Sequence, residues 1–407
     1  MRIVIVGGGL AAAKLSESLR ELDFPGEIAM LCAEDRLPYE RPPLSKEYAA
    51  GKKSLDEFTV QPASWYRDHH VDLLLGTEVT AIDRSAHTVR LPDGYELGYD
   101  KLALATGSRA RTLDLPGFDA RGVFTLRSVD DSDALLGAIA PGARLAIVGA
   151  GWIGLEIAAA ARAKGVEVTI LESAELPLLA VLGPELGTVF ADLHRSHGVD
   201  FRFGAKVGAV AVRDGAATGV QLDDGTVIDA TAVLVAIGAR PNIELARDAG
   251  LAVADGVLVD ESLRTSDPDI VAVGDIAEQQ HPVLERRIRV EHWANALNQP
   301  AVAAHTLVGQ PRAYDRLPYF FTDQYDLGME YVGHAPNGEY EQVVVRGDTD
   351  RREFLAFWLD RDRRVLAGMN VNIWDQGDAI RELIAAARPV DVSKLADPTV
   401  PLGMSLA

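Results

Sequence analysis

The chain has 407 residues, enough for two or three domains with cores of their own. Its single cysteine, Cys32, rules out an internal disulfide and a CxxC redox pair. A formal charge of −20 argues against nucleic acid as a partner, because phosphate contacts need clustered cations.

In chain order, residues 2–6 (RIVIV) read as a strand buried on both faces. The apolar run ends at Gly7, too short for a signal peptide, and no later stretch reaches membrane-spanning length. The cytoplasm is therefore the expected compartment. Gly7-Gly8-Gly9-Leu10-Ala11-Ala12 then has GxGxxA spacing and opens a helix with Leu15, Leu19 and Leu22 on one face. A second strand, 28–32, leads to Glu34, placed to receive ribose hydroxyls. Cys32, at the end of that strand, is read as an inert core thiol. Residues 35–48, DRLPYERPPLSKEY, form a proline-stiffened loop instead of a core element. Arg41 and Lys46 in it are candidate cofactor residues, against the plainer reading of a solvated surface connection. Short strands follow over 71–107, the last closing on Thr106-Gly107.

Residues 144–172 repeat the opening unit. A strand precedes Gly149, Gly151 and Gly154 in GxGxxG spacing, an alanine-rich helix follows, and a second strand ends in Glu172. The glycines allow a tight turn, close approach to a pyrophosphate and close helix–strand packing. Glu172 would repel a 2′-phosphate, and Ser173 to Leu182 contain no Arg or Lys, so this site is read as NADH's. Two such units mean two nucleotide sites. One protein rarely needs two pyridine nucleotides, so the first site is assigned to FAD. Glu156, two residues past Gly154, is placed in the first turn of its helix. There it either pairs with Lys46 or simply caps the helix. Further on come strands over 206–228, then a strand 232–237 closing on Gly238. Another buried strand ends in Gly274-Asp275, where the carboxylate caps the next helix or accepts from ribityl hydroxyls. A helix is expected over 291–308, kinked or broken at Pro300. From Leu317 the texture changes to strands at 319–325, 340–346, 353–359 and 364–371 and a helix at 376–387, an α+β domain.

The segments LPYERPPLSKE (37–47), GAGWIGLE (149–156), RVEHWANALNQ (289–299), TDQYDLGMEYVG (322–333) and GMNVNIWD (368–375) resemble one family closely. It is the FAD-dependent, NADH-utilising ferredoxin reductases of bacterial Rieske dioxygenase and haem monooxygenase systems. The similarity spans essentially the whole chain. It implies an α/β fold of glutathione-reductase type, with two Rossmann-like nucleotide-binding domains and a C-terminal α+β domain that covers the flavin. FAD would lie on 1–109 plus 241–317 and NADH on 110–240, with 318–407 as the third domain. By motif, Gly7, Gly9, Ala12, Glu34, Arg41, Lys46, Thr106, Gly107, Asp275 and Trp293 would serve FAD. Gly149, Gly151, Gly154, Glu156, Glu172 and Gly238 would serve NADH. Lys46 and Glu156 would act catalytically at the flavin–nicotinamide junction, with no metal. The partner implied is a [2Fe–2S] ferredoxin, with neither nucleic acid nor membrane involved. Phe320-Phe321 stand where many relatives carry tryptophan, and the helix 294–307 holds no Lys or Arg to form a basic docking patch. An NADH oxidase or disulfide reductase of the same fold, and a non-enzymatic NADH sensor, are the competing readings.

Overall fold

The strand Arg2–Val6 is the middle of a five-stranded parallel sheet, in the order Ile270–Ala272, Lys101–Leu104, Arg2–Val6, Glu27–Leu31, Val71–Leu74. Its residues Ile3, Val4 and Ile5 are fully buried, as an apolar strand packed on both faces must be. The computed structural model describes every residue, 1–407, and divides the chain into two compact units. This sheet belongs to the first unit, built from Met1–Glu40, Ser54–Arg109 and Arg240–Pro318. Helix Leu10–Glu21 buries Leu15 and Leu19 in its core, while Leu22 caps the helix.

The second unit comprises Arg41–Lys53, Ala110–Ala239 and Tyr319–Ala407. It repeats the topology in a second parallel sheet: Asp200–Phe203, Glu167–Glu172, Arg144–Val148, Ala232–Val235, Val123–Phe124. In both sheets the central strand has its sequence successor on one side and a much later strand on the other. That reversal creates a crevice at the strand's carboxyl end, where open α/β sheets bind ligands. The second unit also holds a three-stranded antiparallel sheet (Val207–Arg213, Ala216–Leu222, Val227–Asp229) and a five-stranded antiparallel one. The latter runs Tyr319–Gln324, Leu327–Gly333, Val365–Val371, Glu353–Leu359, Gln342–Asp348, with helix Gly377–Ala386 packed on it. The expected α/β class with an α+β C-terminal part therefore holds.

Four expectations need correction. Leu327–Gly333 is a strand that pattern reading passes over, because Gly328 and Gly333 interrupt its apolar run. A Cβ on Gly333 would lie 2.4 Å from Leu366 O, so close strand packing demands that glycine. Helix Trp293–Leu307 is not broken at Pro300 but continues through it. It packs along helix Leu10–Glu21, and that burial outweighs the one hydrogen bond a proline removes. The proline-rich loop is partly core: Pro42–Ser45 is a 3₁₀ turn with Pro43, Leu44 and Ser45 buried. Finally, helix Trp152–Ala163 begins at Trp152, so Glu156 lies in its second turn and cannot cap it. No helix is long and apolar enough to cross a membrane.

Candidate functional site

The two glycine turns end the central strands and are built alike. A Cβ on Gly7 would sit 2.2 Å from Ala105 O, and one on Gly149 2.5 Å from Ala236 O. Both residues have positive φ, +142° and +103°. Only glycine passes there, because the neighbouring strand's backbone fills the space a side chain needs. The second glycine of each motif faces outward instead. A Cβ on Gly9 meets nothing within 4 Å, and one on Gly151 meets only Ala236 O at 4.0 Å. Each of these glycines is the N-cap of its helix with no side-chain cap hydrogen bond, so the first N–H groups point into that open face. In the third position Gly154 abuts Gly149 O, 2.4 Å from an added Cβ, while Ala12 is fully buried. These open cradles fit the pyrophosphates of two dinucleotides.

Each cradle has its acid. Glu34 Oε2 accepts from Tyr39 Oη at 2.6 Å. Glu172 accepts from the N–H groups of Ala150 (2.7 Å) and Ala174 (2.8 Å), so it braces the glycine turn itself. Cys32 lies under the first turn, and a Cβ on Gly8 would approach its Cβ to 2.8 Å. Burial, helped by Glu34, pushes its thiol up to about 12, which leaves it protonated and inert. In the same unit Asp275 accepts from Ser108 Oγ at 2.5 Å and makes no helix cap. Thr106 Oγ1 donates to Asn242 O at 2.7 Å, and Asn242 N donates to Gly107 O at 2.9 Å. Trp293 stands half-buried at the first position of its helix. Gly238, with φ +103°, accepts from Arg111 N at 2.9 Å in the second unit.

Lys46 and Glu156 do meet. Lys46 Nζ lies 2.8 Å from Glu156 Oε1, with the side chains only 9% and 5% exposed. Thr322 Oγ1 donates to the same oxygen at 2.6 Å, and Ser45 Oγ donates to Oε2. Lys46 Nζ also stands over the Phe321 ring, 5.2 Å from its centroid. The helix-cap and solvated-lysine alternatives therefore fall. Three elements of the second unit converge here: the 3₁₀ turn, the Ala-rich helix and the strand Tyr319–Gln324. Ser45 and Thr322 were missed at the sequence level. Their hydroxyls matter only through contacts across 111 and 166 residues. Arg41 sits elsewhere in this unit, its guanidinium donating to Arg127 O at 2.5 Å.

Behind the strand, His194 is fully buried and its Nε2 is 2.8 Å from Gln324 Oε1. Burial lowers it to about 4, with the Gln324 hydrogen bond opposing and His197 adding to the depression. An unfolded histidine titrates near 6.5. Between these values the unfolded chain binds a proton that the folded chain refuses, so stability is full above pH 6.5 and lost as pH falls through 4. The loss is expected to reach roughly 3 kcal/mol. Urea unfolding of wild type and His194→Met from pH 7 to pH 4 checks this. The wild type should lose stability faster, and parallel profiles would refute the assignment.

A family model described as pyridine nucleotide-disulphide oxidoreductase matches residues 1–299. The chain belongs to that family. A second model, reductase C-terminal, matches residues 319–406 of this oxidoreductase. The family's members include close relatives. The ferredoxin–NAD(+) reductase component of the anthranilate 1,2-dioxygenase system of Burkholderia cepacia is 43% identical over 98% of each chain. The 5,5′-dehydrodivanillate O-demethylase ferredoxin reductase subunit of a Sphingobium species is 41% identical, over 98% of this chain and 97% of its own. Among solved structures, the covalent putidaredoxin reductase–putidaredoxin complex superposes with a TM-score of 0.94 at 36% identity, covering 99% of this chain and 97% of that one. The resemblance drawn from the motifs is thus that of the whole oxidoreductase chain.

Proposed function

We infer that the protein is an FAD-dependent NADH:ferredoxin reductase, passing electrons from NADH through FAD to a small [2Fe–2S] ferredoxin that feeds an oxygenase. The duplicated glycine cradle carries this reading: two dinucleotide sites in one chain, each at the carboxyl end of a central parallel strand. Bound FAD supplies the exchange between a two-electron hydride donor and a one-electron acceptor. Gly7, Gly9, Ala12 and Glu34 are assigned to its adenosine diphosphate half, and Asp275 to its ribityl chain. Arg41, Thr106, Gly107 and Trp293 keep the flavin roles their motifs imply. Gly149, Gly151, Gly154, Glu172 and Gly238 are assigned to NADH. The domains assigned are 1–109 with 241–317, 110–240 and 318–407, and the proposed compartment is the cytoplasm. Lys46 and Glu156 are proposed to orient the nicotinamide ring, since a buried, hydrogen-bonded pair holds its geometry tightly.

A disulfide reductase would need two thiols at the flavin, and the one cysteine here is buried and held protonated. NADH-driven reduction of cytochrome c tests the assignment. It should depend on added ferredoxin, and equal rates without ferredoxin would defeat it.

Nucleotide choice rests on Glu172. This carboxylate also braces Ala150 and Ala174, one through each oxygen, so Glu172→Gln is the milder probe: its amide oxygen keeps one of the two bonds while the charge disappears. NADPH kcat/KM should rise by roughly 5- to 150-fold relative to NADH, equivalent to ~1–3 kcal/mol of relieved repulsion. A wild type that uses both nucleotides equally would contradict the role given to Glu172.

A further inference from the structure

The Glu156 carboxylate ends a string of buried hydrogen bonds. Thr322 Oγ1 is 2.6 Å from Glu156 Oε1, and Gln324 Nε2 is 3.2 Å from Thr322 Oγ1. His194 Nε2 is 2.8 Å from Gln324 Oε1, and Tyr325 Oη is 3.4 Å from His194 Nδ1. Thr322, Gln324 and His194 are all at most 1% exposed. Thr322 and Gln324 lie two apart on the strand Tyr319–Gln324 and so share a face, while His194 comes from helix Pro184–Ser196.

Chemistry gives the string one direction. A carboxylate paired with a lysine has no proton to offer, so the Thr322 hydroxyl donates to it. The Thr322 lone pair must then accept, which turns the Gln324 amide nitrogen toward it and the amide oxygen toward His194. An amide oxygen only accepts, so His194 carries its proton on Nε2, and its bare Nδ1 accepts from Tyr325. Every bond points toward Glu156, and each strengthens the next in a low-dielectric interior. Burying four polar groups in a row is not the cheapest way to fill this space, because apolar side chains of similar volume would pack without desolvating anything.

We propose that Thr322, Gln324 and His194 are positioning residues, a one-way hydrogen-bond chain that holds the Glu156 carboxylate in the orientation that pairs with Lys46. This rests on the assignment of the Lys46–Glu156 pair to the nicotinamide. Thr322 is the joint of the chain: its hydroxyl both donates to the carboxylate and sets the amide. Loss of that hydroxyl leaves Glu156 Oε1 with Lys46 alone and frees the Gln324 amide to turn over. His194 would then lose its single tautomer.

Two measurements on the FAD-loaded protein test this. In histidine-labelled protein, nitrogen NMR of the imidazole should show His194 protonated on Nε2 and bare on Nδ1 near neutral pH. Thr322→Ser should preserve that pattern, and Thr322→Val should give a mixture of tautomers. In stopped-flow mixing with NADH, Thr322→Val and Gln324→Met should slow flavin bleaching ~10-fold at unchanged Kd for NADH, as expected when a positioned group is lost. Thr322→Ser should stay near wild type. A wild-type proton on Nδ1 would overturn the chain's direction whatever the kinetics. Unchanged bleaching in both Thr322→Val and Gln324→Met, beside a wild type that NADH reduces normally, would overturn the positioning role alone. A wild type that NADH does not reduce would instead strike the functional assignment beneath it.

Discussion

Gly7→Ala is expected to purify without its yellow cofactor. The new Cβ would lie 2.2 Å from Ala105 O, a backbone atom of the segment that follows the adjacent strand Lys101–Leu104, and cannot be turned aside. At φ +142° an L-residue is strained as well, by about 1–3 kcal/mol. Relief means moving the turn whose outward face is proposed to receive the pyrophosphate, so FAD content should collapse. Gly149→Ala is the control built into the fold. Its Cβ would lie 2.5 Å from Ala236 O at φ +103°, so it should keep FAD and bind NADH roughly 100-fold more weakly. Absorbance of the purified proteins and NADH titration read the two outcomes. Loss of flavin in Gly149→Ala with retention in Gly7→Ala would reverse the assignment of the two sites.

Single substitutions of the buried pair should damage both stability and rate. Glu156→Ala strands the Lys46 ammonium, only 9% exposed, and Lys46→Ala strands the carboxylate. Either should cost about 3–5 kcal/mol, the penalty of an uncompensated buried charge. Either should also slow flavin reduction by NADH ~10-fold or more, because a misplaced reactant loses effective molarity steeply. The double variant Lys46→Met with Glu156→Leu separates the two effects. With no charge left to strand, its urea midpoint should recover while the slow reduction persists. Recovery of both quantities would mean that the pair serves only the fold.

Local chemistry was readable and long-range chemistry was not. Gly7, Gly9, Gly149, Gly151 and Gly154 lie in short segments whose spacing implies their steric surroundings, and the structure gives each of them those surroundings. The Lys46–Glu156 pairing was legible as one of two readings of Glu156, and the family resemblance brought the two distant motifs to one junction. Ser45, Thr322 and Gln324 lie inside the segments that carry the resemblance, yet nothing local gave them a role, and His194 lies outside those segments. A serine after prolines and a threonine in a strand are ordinary residues until the fold makes them neighbours. Pro300 and the strand Leu327–Gly333 mark the other limit. There tertiary packing prevails over propensity, keeping a proline within a helix and two glycines within a strand.

The central claim is that electrons taken from NADH leave this protein one at a time toward an iron–sulfur carrier. Its most direct test is anaerobic: the FAD-loaded protein, one equivalent of NADH and an excess of oxidised [2Fe–2S] ferredoxin, followed at the iron–sulfur absorbance. Two ferredoxins should be reduced per NADH consumed, and the flavin should return to its oxidised spectrum. Reduced flavin that persists beside oxidised ferredoxin, and is discharged only by oxygen or a disulfide, would contradict it.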